Sequence, residues 1–167
     1  MSILRNSRWI SAYHPAFPMA WKAEESGPSQ PQEPNMPHTV IHLSGEPDAR
    51  LARSAADAVA GITQRVLGKQ LPVIATTVQF IPADQWFVGG ASLAELGQGA
   101  FHLDISITDE TNTKAEKALY LREVHAAFEA LLPNLHPVSY VHLIDARAAA
   151  YGYGGRTQEW RHQQAGV

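Results

Sequence analysis

A chain of 167 residues, 45% hydrophobic and 17% charged, has the length for one well-buried domain. Its formal charge of -3, with no cluster of Lys and Arg on any one segment, gives no basis for a nucleic-acid partner. It contains no cysteine, which excludes disulfides and thiolate metal sites and fits a reducing, cytoplasmic setting; no apolar run reaches the length of a membrane span.

Residues 1–35 mix isolated aromatics (Trp9, Tyr13, Phe17, Trp21) with a Ser, Gln, Pro and Glu run from Ser26 to Asn35. Neither helical nor strand period is present there. The segment is expected to be a disordered extension or a mis-assigned start lying upstream of the true one at Met36. Arg5 and Arg8 precede no uninterrupted apolar core, so a secretory signal is not expected.

Order begins at Met36-Pro37. From His38 to Ser44 the residues alternate, with Thr39, Ile41 and Leu43 on one face and His38, Val40, His42 and Ser44 on the other, as in a strand. Glu46-Pro47-Asp48 is expected to open a helix with the proline in its first turn. The stripe Leu51, Ala55, Ala58, Val59, Ile62 and Val66 follows at helical spacing, and Gly68 ends it. Pro72 to Ile81 reads as a second strand, and Pro82 to Gly99 as a loop or short hairpin carrying Trp86, Phe87, Gly89 and Gly90.

The same succession then returns. Phe101 to Thr108 alternates, Thr113 to Glu116 is a capping box, and Ala118, Leu121, Val124, Phe128 and Leu132 give the helical stripe. Pro137 to Asp145 is the last strand, and Gly154-Gly155 closes the unit. Pro37 and Phe101 stand 64 residues apart, as do Ile41 and Ile105; Leu67 and Leu132, Pro72 and Pro137, and Gly89 and Gly154 stand 65 apart. The spacing predicts two tandem β-α-β units, repeat one at 37–99 and repeat two at 100–160, within a domain at 36–160 followed by a tail at 161–167.

Each helix is long enough to cross over, so the strands of a unit should lie parallel. The fold class is α+β: a four-stranded sheet with two helices on one face. The other face, bearing Val40, His42, Asp104 and Ser106, would be left open, which favours burial in a symmetric oligomer.

A strand beginning Met-Pro, β-α-β units of this size in tandem, and an aromatic-rich loop ending in Gly-Gly resemble the tautomerase superfamily. Pro82 to Gly90 is similar to the stretch linking the two units in cis-3-chloroacrylic acid dehalogenase. Tyr151-Gly152-Tyr153-Gly154-Gly155-Arg156 is similar to the tail loop of that enzyme and of malonate semialdehyde decarboxylase. The resemblance spans Met36 to about Trp160. It implies a small homotrimer without a cofactor, in which the initiator methionine is removed and the nitrogen of Pro37 becomes the catalytic base.

The family's other catalytic positions differ in this sequence. Glu46 and Pro47 stand where its arginine just after the first strand would be, and Thr77 stands near its second, on the second strand. Asp109 and Asn112 replace the dehalogenase's arginine pair, Thr63 its helix histidine, and His142 its strand tyrosine; its glutamate falls near Tyr153. Trp86 sits near the active-site phenylalanine of the tautomerases.

A proline made amino-terminal carries a basic secondary amine, whereas an internal proline nitrogen is an amide without one. Trp86, Phe87 and Phe101 are expected to form an apolar mouth that keeps the amine neutral. Such an amine takes a proton from an enolisable or unsaturated oxo-acid and returns it elsewhere. Donors to the developing enolate are available in His142, Arg147, Tyr151, Tyr153 and Arg156. The substrate-binding candidates are therefore His142, Trp86, Arg147, Tyr153 and Arg156, with Pro37 catalytic. The alternatives are a non-catalytic protein with a blocked internal proline, and a hydratase or dehalogenase of unsaturated acids. Eight histidines raise the question of metal, but no predicted helix carries a His-x-x-x-His pair, and His38 and His42 on a strand stand about 13 Å apart, so no metal site is expected.

Overall fold

The computed structural model describes residues 36–165. The expectations for residues 1–35 lie outside the described residues.

Strand β1 (His38–Ser44) leads into helix α1 (Ala49–Leu67), which returns the chain to β2 (Ala75–Ile81). A two-strand hairpin, β3 (Phe87–Val88) and β4 (Ala91–Ser92), and one turn of helix, α2 (Leu93–Leu96), complete the first unit. The second repeats it as β5 (Phe101–Thr108), α3 (Lys114–Leu131), β6 (Tyr140–Ala146), the hairpin β7 (Gly152–Tyr153) and β8 (Arg156–Thr157), and α4 (Gln158–Gln164). The last helix carries regular structure past Trp160, where the sequence reading ends the domain.

The four long strands form one sheet in the order β2-β1-β5-β6. Within each unit the strands run parallel, as the crossover helices require. The units join through β1 and β5, which are antiparallel, Val40 facing Asp104 and His42 facing His102. Both repeats therefore point their leading strands toward each other. The start of β1 lies at the end of β5, and the start of β5 lies at the end of β1.

The core fills the space between the sheet and the two long helices. Ile41, Leu43, Phe101, Leu103, Ile105 and Ile107 come from the sheet, Val59 and Ile62 from α1, and Tyr120, Val124 and Phe128 from α3. Phe101 stacks on Phe128 with ring centroids 4.1 Å apart. Each such side chain buried contributes about 1.5–3 kcal/mol. Among the described residues the core cluster runs from Ile41 to Leu132, all of it downstream of Pro37. One polar pair crosses this core, Thr63 Oγ1 to Tyr120 OH at 3.1 Å, and burial pushes the Tyr120 hydroxyl up to about 12.

Several local expectations are corrected. Pro47 precedes α1 rather than sitting in its first turn; Asp48 is the cap, accepting from the N–H groups of Arg50 and Leu51 at 2.8 and 3.2 Å. Those two bonds hold its carboxyl below the usual range. A 3-10 turn at Leu71–Val73 delays β2 to Ala75. The buried stripe of α3 runs Tyr120, Val124, Phe128, while Ala118 and Leu121 of the expected stripe are exposed. The run Ala118-Leu119-Tyr120-Leu121 offers apolar groups in every direction, so spacing cannot select the phase, and burying the large Tyr120 ring decides it.

The capping box at Thr113 and Glu116 is present. Ser92 and Glu95 form a second one, holding α2. Gly68 ends α1 with φ 66, a conformation that glycine adopts without strain.

Candidate functional site

Pro37 is buried at the head of β1, one of the two central strands, and its carbonyl accepts the N–H of Ala75 at 3.3 Å. Because β5 runs antiparallel beside it, the elements that follow β5's parallel partner β6 arrive at this end of the sheet. The C-terminal hairpin is thereby brought to Pro37. Tyr151, which leads into it, directs its hydroxyl at the carbonyl oxygens of Met36 and Ser106, 2.9 and 3.2 Å away. Desolvation raises the Tyr151 hydroxyl above its ordinary range, opposed in part by the backbone N–H of His38, so the group is a neutral phenol at pH 7.

The hairpin itself is tightly made. Gly152 passes so close to β8 that a Cβ there would stand 2.0 Å from the Arg156 carbonyl oxygen. Gly154 and Gly155 take φ of 54 and 73 at the turn. Arg161, on α4, lays its guanidinium 3.8 Å from the centre of the Tyr153 ring and donates to the Tyr153 carbonyl at 2.9 Å. Arg156 lies 4.7 Å from the ring of Trp160. An open cavity of about 290 Å³ is lined by Tyr151, Tyr153, Arg156 and their neighbours.

Of the residues singled out in the sequence, Pro37, Tyr153 and Arg156 thus fall at one end of the sheet, and Arg147, exposed after the last residue of β6, falls at the same end. Two do not join them. Trp86, with Phe87, follows β2, whose last residue Ile81 pairs with Ser44 at the far end of β1, a strand length of roughly 20 Å from Pro37. His142 sits mid-strand on the open face, two strands across and three residues along from Pro37.

The expected mouth of Trp86, Phe87 and Phe101 is overturned for the same reason. Phe101 has no exposed surface and packs in the core on the helix side. Strand alternation places it beside Leu103 and Ile105, and β1's direction puts it at the end opposite Pro37.

Two positions that answer to catalytic residues of the resembling family are occupied structurally here. Thr63 is buried against Tyr120, and Asn112 donates to the carbonyl of Leu67 at 3.1 Å, closing the end of α1.

Across the open face runs a polar row that alternation alone does not assemble. His42 Nε2 meets Gln79 Oε1 at 3.1 Å, and the rings of His42 and His102 lie 6.0 Å apart. Asp104 Oδ1 is shared by His102 Nε2 at 3.1 Å and His142 Nδ1 at 3.2 Å. Among the described residues, no group of three His, Asp or Glu side chains is placed to hold a metal ion, and no helix is long and apolar enough to cross a membrane.

No family model and no curated protein matches the sequence. Solved structures do match the fold. A fused 4-OT, described as a symmetric trimer, is 16% identical, with 74% of this chain and 97% of that one covered at a TM-score of 0.60. Pt0534 inactivated by 2-oxo-3-pentynoate is 12% identical, with 73% and 96% covered and a TM-score of 0.61. A macrophage migration inhibitory factor-like protein from Entamoeba histolytica is 20% identical, with 73% and 98% covered and a TM-score of 0.58. All three are members of the tautomerase superfamily, and the chain has their fold.

Proposed function

Starting from the tautomerase-type fold, we propose that the chain beginning at Pro37 is an isomerase that moves a proton on an enolisable or unsaturated oxo-acid. The observation that carries this reading is the place of Pro37, buried at the head of a central strand, at the sheet end where the Tyr151, Tyr153 and Arg156 hairpin gathers. Hydrolysis of the Met36–Pro37 bond leaves a carboxylate on the methionine and a secondary amine on Pro37. The amine's lone pair takes the proton from the enol oxygen or the acidic carbon, charge moves onto the substrate oxygen, and the ammonium returns the proton to the other site. A positioned group of this kind contributes roughly 10²- to 10⁴-fold.

Arg156 and Arg147 are the groups at this end that suit the substrate carboxylate, and Tyr153 suits the enolate oxygen. We propose further that three copies assemble over the open sheet face, a reading supported by the trimeric fused 4-OT. In such an assembly Trp86 reaches a Pro37 only from a neighbouring copy, and His142 lies in the interior. Hydrolytic dehalogenation is disfavoured, because Asp109 and Asn112 stand where that chemistry uses a pair of arginines.

The test is ketonisation of phenylenolpyruvate or 2-hydroxymuconate by the chain beginning at Pro37. Activity that Pro37→Ala lowers by about 10²-fold or more supports the reading; equal rates in both chains remove it. A second reading, a non-catalytic protein whose proline stays internal, is favoured by the bond between Tyr151 and the Met36 carbonyl, which exists only while residue 36 is attached. The intact mass of the cellular protein decides between them.

A further inference from the structure

Tyr151, expected from the sequence as one of several enolate donors, has no part in the mechanism proposed above, yet its side chain is bonded to the peptide that carries the Pro37 nitrogen. Its hydroxyl bonds the Met36 carbonyl, the acceptor joined directly to the proline nitrogen. The carbonyl oxygen of residue 36 and the nitrogen of residue 37 share one carbon and stand about 2.2 Å apart. With the Tyr151 oxygen 2.9 Å from that carbonyl oxygen, the Pro37 nitrogen is no more than about 5 Å from the hydroxyl.

The hydroxyl does not depend on Met36 for its place. The Ser106 carbonyl on β5 is a second acceptor at 3.2 Å, and the Tyr151 carbonyl is fixed by the N–H of Gln158 at 2.8 Å. Removal of Met36 takes away one acceptor, while the Ser106 acceptor and the Gln158 bond remain to hold the residue. With Ser106 as the remaining acceptor of the hydroxyl proton, the oxygen keeps its lone pairs for a donor.

We propose that Tyr151 is the positioning residue of Pro37: in the full chain its hydroxyl clamps the Met36–Pro37 peptide, and in the chain beginning at Pro37 it accepts a hydrogen bond from the proline amine, directly or through one water. This rests on the reading that the freed Pro37 nitrogen carries the proton. Holding one N–H of the pyrrolidine fixes which way the nitrogen's lone pair faces, which an unanchored ring at a chain terminus would not do. An acceptor beside the amine also favours its protonated form.

The experiment compares the parent with Tyr151→Phe in the chain beginning at Pro37. In the chain beginning at Pro37, with proline labelled by ¹⁵N, the titration midpoint of the Pro37 nitrogen should fall by about one unit in the variant, because the charged form loses an acceptor. The acid limb of kcat/KM should move with it, and kcat should drop about tenfold while KM stays within about twofold.

A midpoint and a kcat that do not move overturn the inference. Should the variant fail to fold, the parent still decides: no nuclear Overhauser contact between the Tyr151 ring edge and the Pro37 Cδ protons overturns it as well. A parent that titrates as expected but ketonises nothing removes the isomerase reading and leaves the placement of Tyr151 intact. An active parent whose titration is indifferent to Tyr151→Phe does the reverse.

Discussion

Trp86 and Tyr151 occupy the same place in the two repeats. They stand 65 residues apart, and each offers its carbonyl to the first N–H of the short helix that follows, Leu93 for one and Gln158 for the other, at 2.8 Å in both. The antiparallel meeting of β1 and β5 sends these equivalent residues to opposite ends of the sheet. The hairpin of the second repeat therefore reaches the first strand of the first repeat, and Tyr151, not Trp86, stands beside Pro37 within one chain.

The hairpin that carries Tyr151 needs glycine where β7 meets β8. Gly152→Ala places a Cβ 2.0 Å from the Arg156 carbonyl oxygen and should cost about 1–3 kcal/mol. Gly61→Ala is the control: it lies on an exposed helical position with nothing near the new Cβ and should gain about 0.5–1 kcal/mol. Urea midpoints of the two variants, moving in opposite directions, are the expected result.

Tyr120 gives the protein an alkaline limit. The hydroxyl loses its proton near 10 in the unfolded chain and only at about 12 in the fold, because burial disfavours the phenolate. Between these values the folded chain keeps a proton that the unfolded chain has lost. Stability is therefore whole below about pH 10 and falls as pH rises toward 12, by about 2–3 kcal/mol. Denaturant unfolding from pH 9 to pH 12 should show the fall, and Tyr120→Phe should flatten it.

Phe101 is a core residue, so its removal should act on stability. Phe101→Ala should cost about 3–5 kcal/mol, read from the denaturant midpoint. In the chain beginning at Pro37, the KM of the fraction that remains folded should stay within about twofold of the parent's, since the ring lies a strand length from the proline. A large rise in KM at unchanged stability would restore Phe101 to the site.

The open face of the sheet should be where copies meet. Tyr140, 60% exposed, and Ile144, 37% exposed, flank His142 on that face, and a carboxylate at each should split an assembly that buries them. Tyr140→Glu with Ile144→Glu should shift the sedimentation coefficient from a trimer's toward a single chain's while the far-ultraviolet circular dichroism stays unchanged. An unchanged coefficient in the variant would place the contact elsewhere.

Much of this architecture can be read from the residues alone, because its causes are local. Period-two alternation in His38 to Ser44 and Phe101 to Thr108 marks strands. The α1 stripe and Gly68 mark a helix and its end, and the 64- and 65-residue spacings reveal the duplication. Where one short stretch offered two apolar phases, as in Ala118 to Leu121, local pattern was insufficient, and the volume of Tyr120 settled the choice in the core.

By itself, then, the sequence determined two β-α-β units, their tandem order, and a proline at the head of the first strand, since each follows from neighbours a few positions away. Only the tertiary structure decided what stands next to that proline. The pairing of β1 with β5 is a long-range register set by burying both strands' apolar faces against two helices, and no local period encodes it. That pairing carries Trp86 and Phe101 away from Pro37, gathers Asp104 with His102 and His142, and brings a tyrosine from 115 residues further on to the carbonyl of Met36.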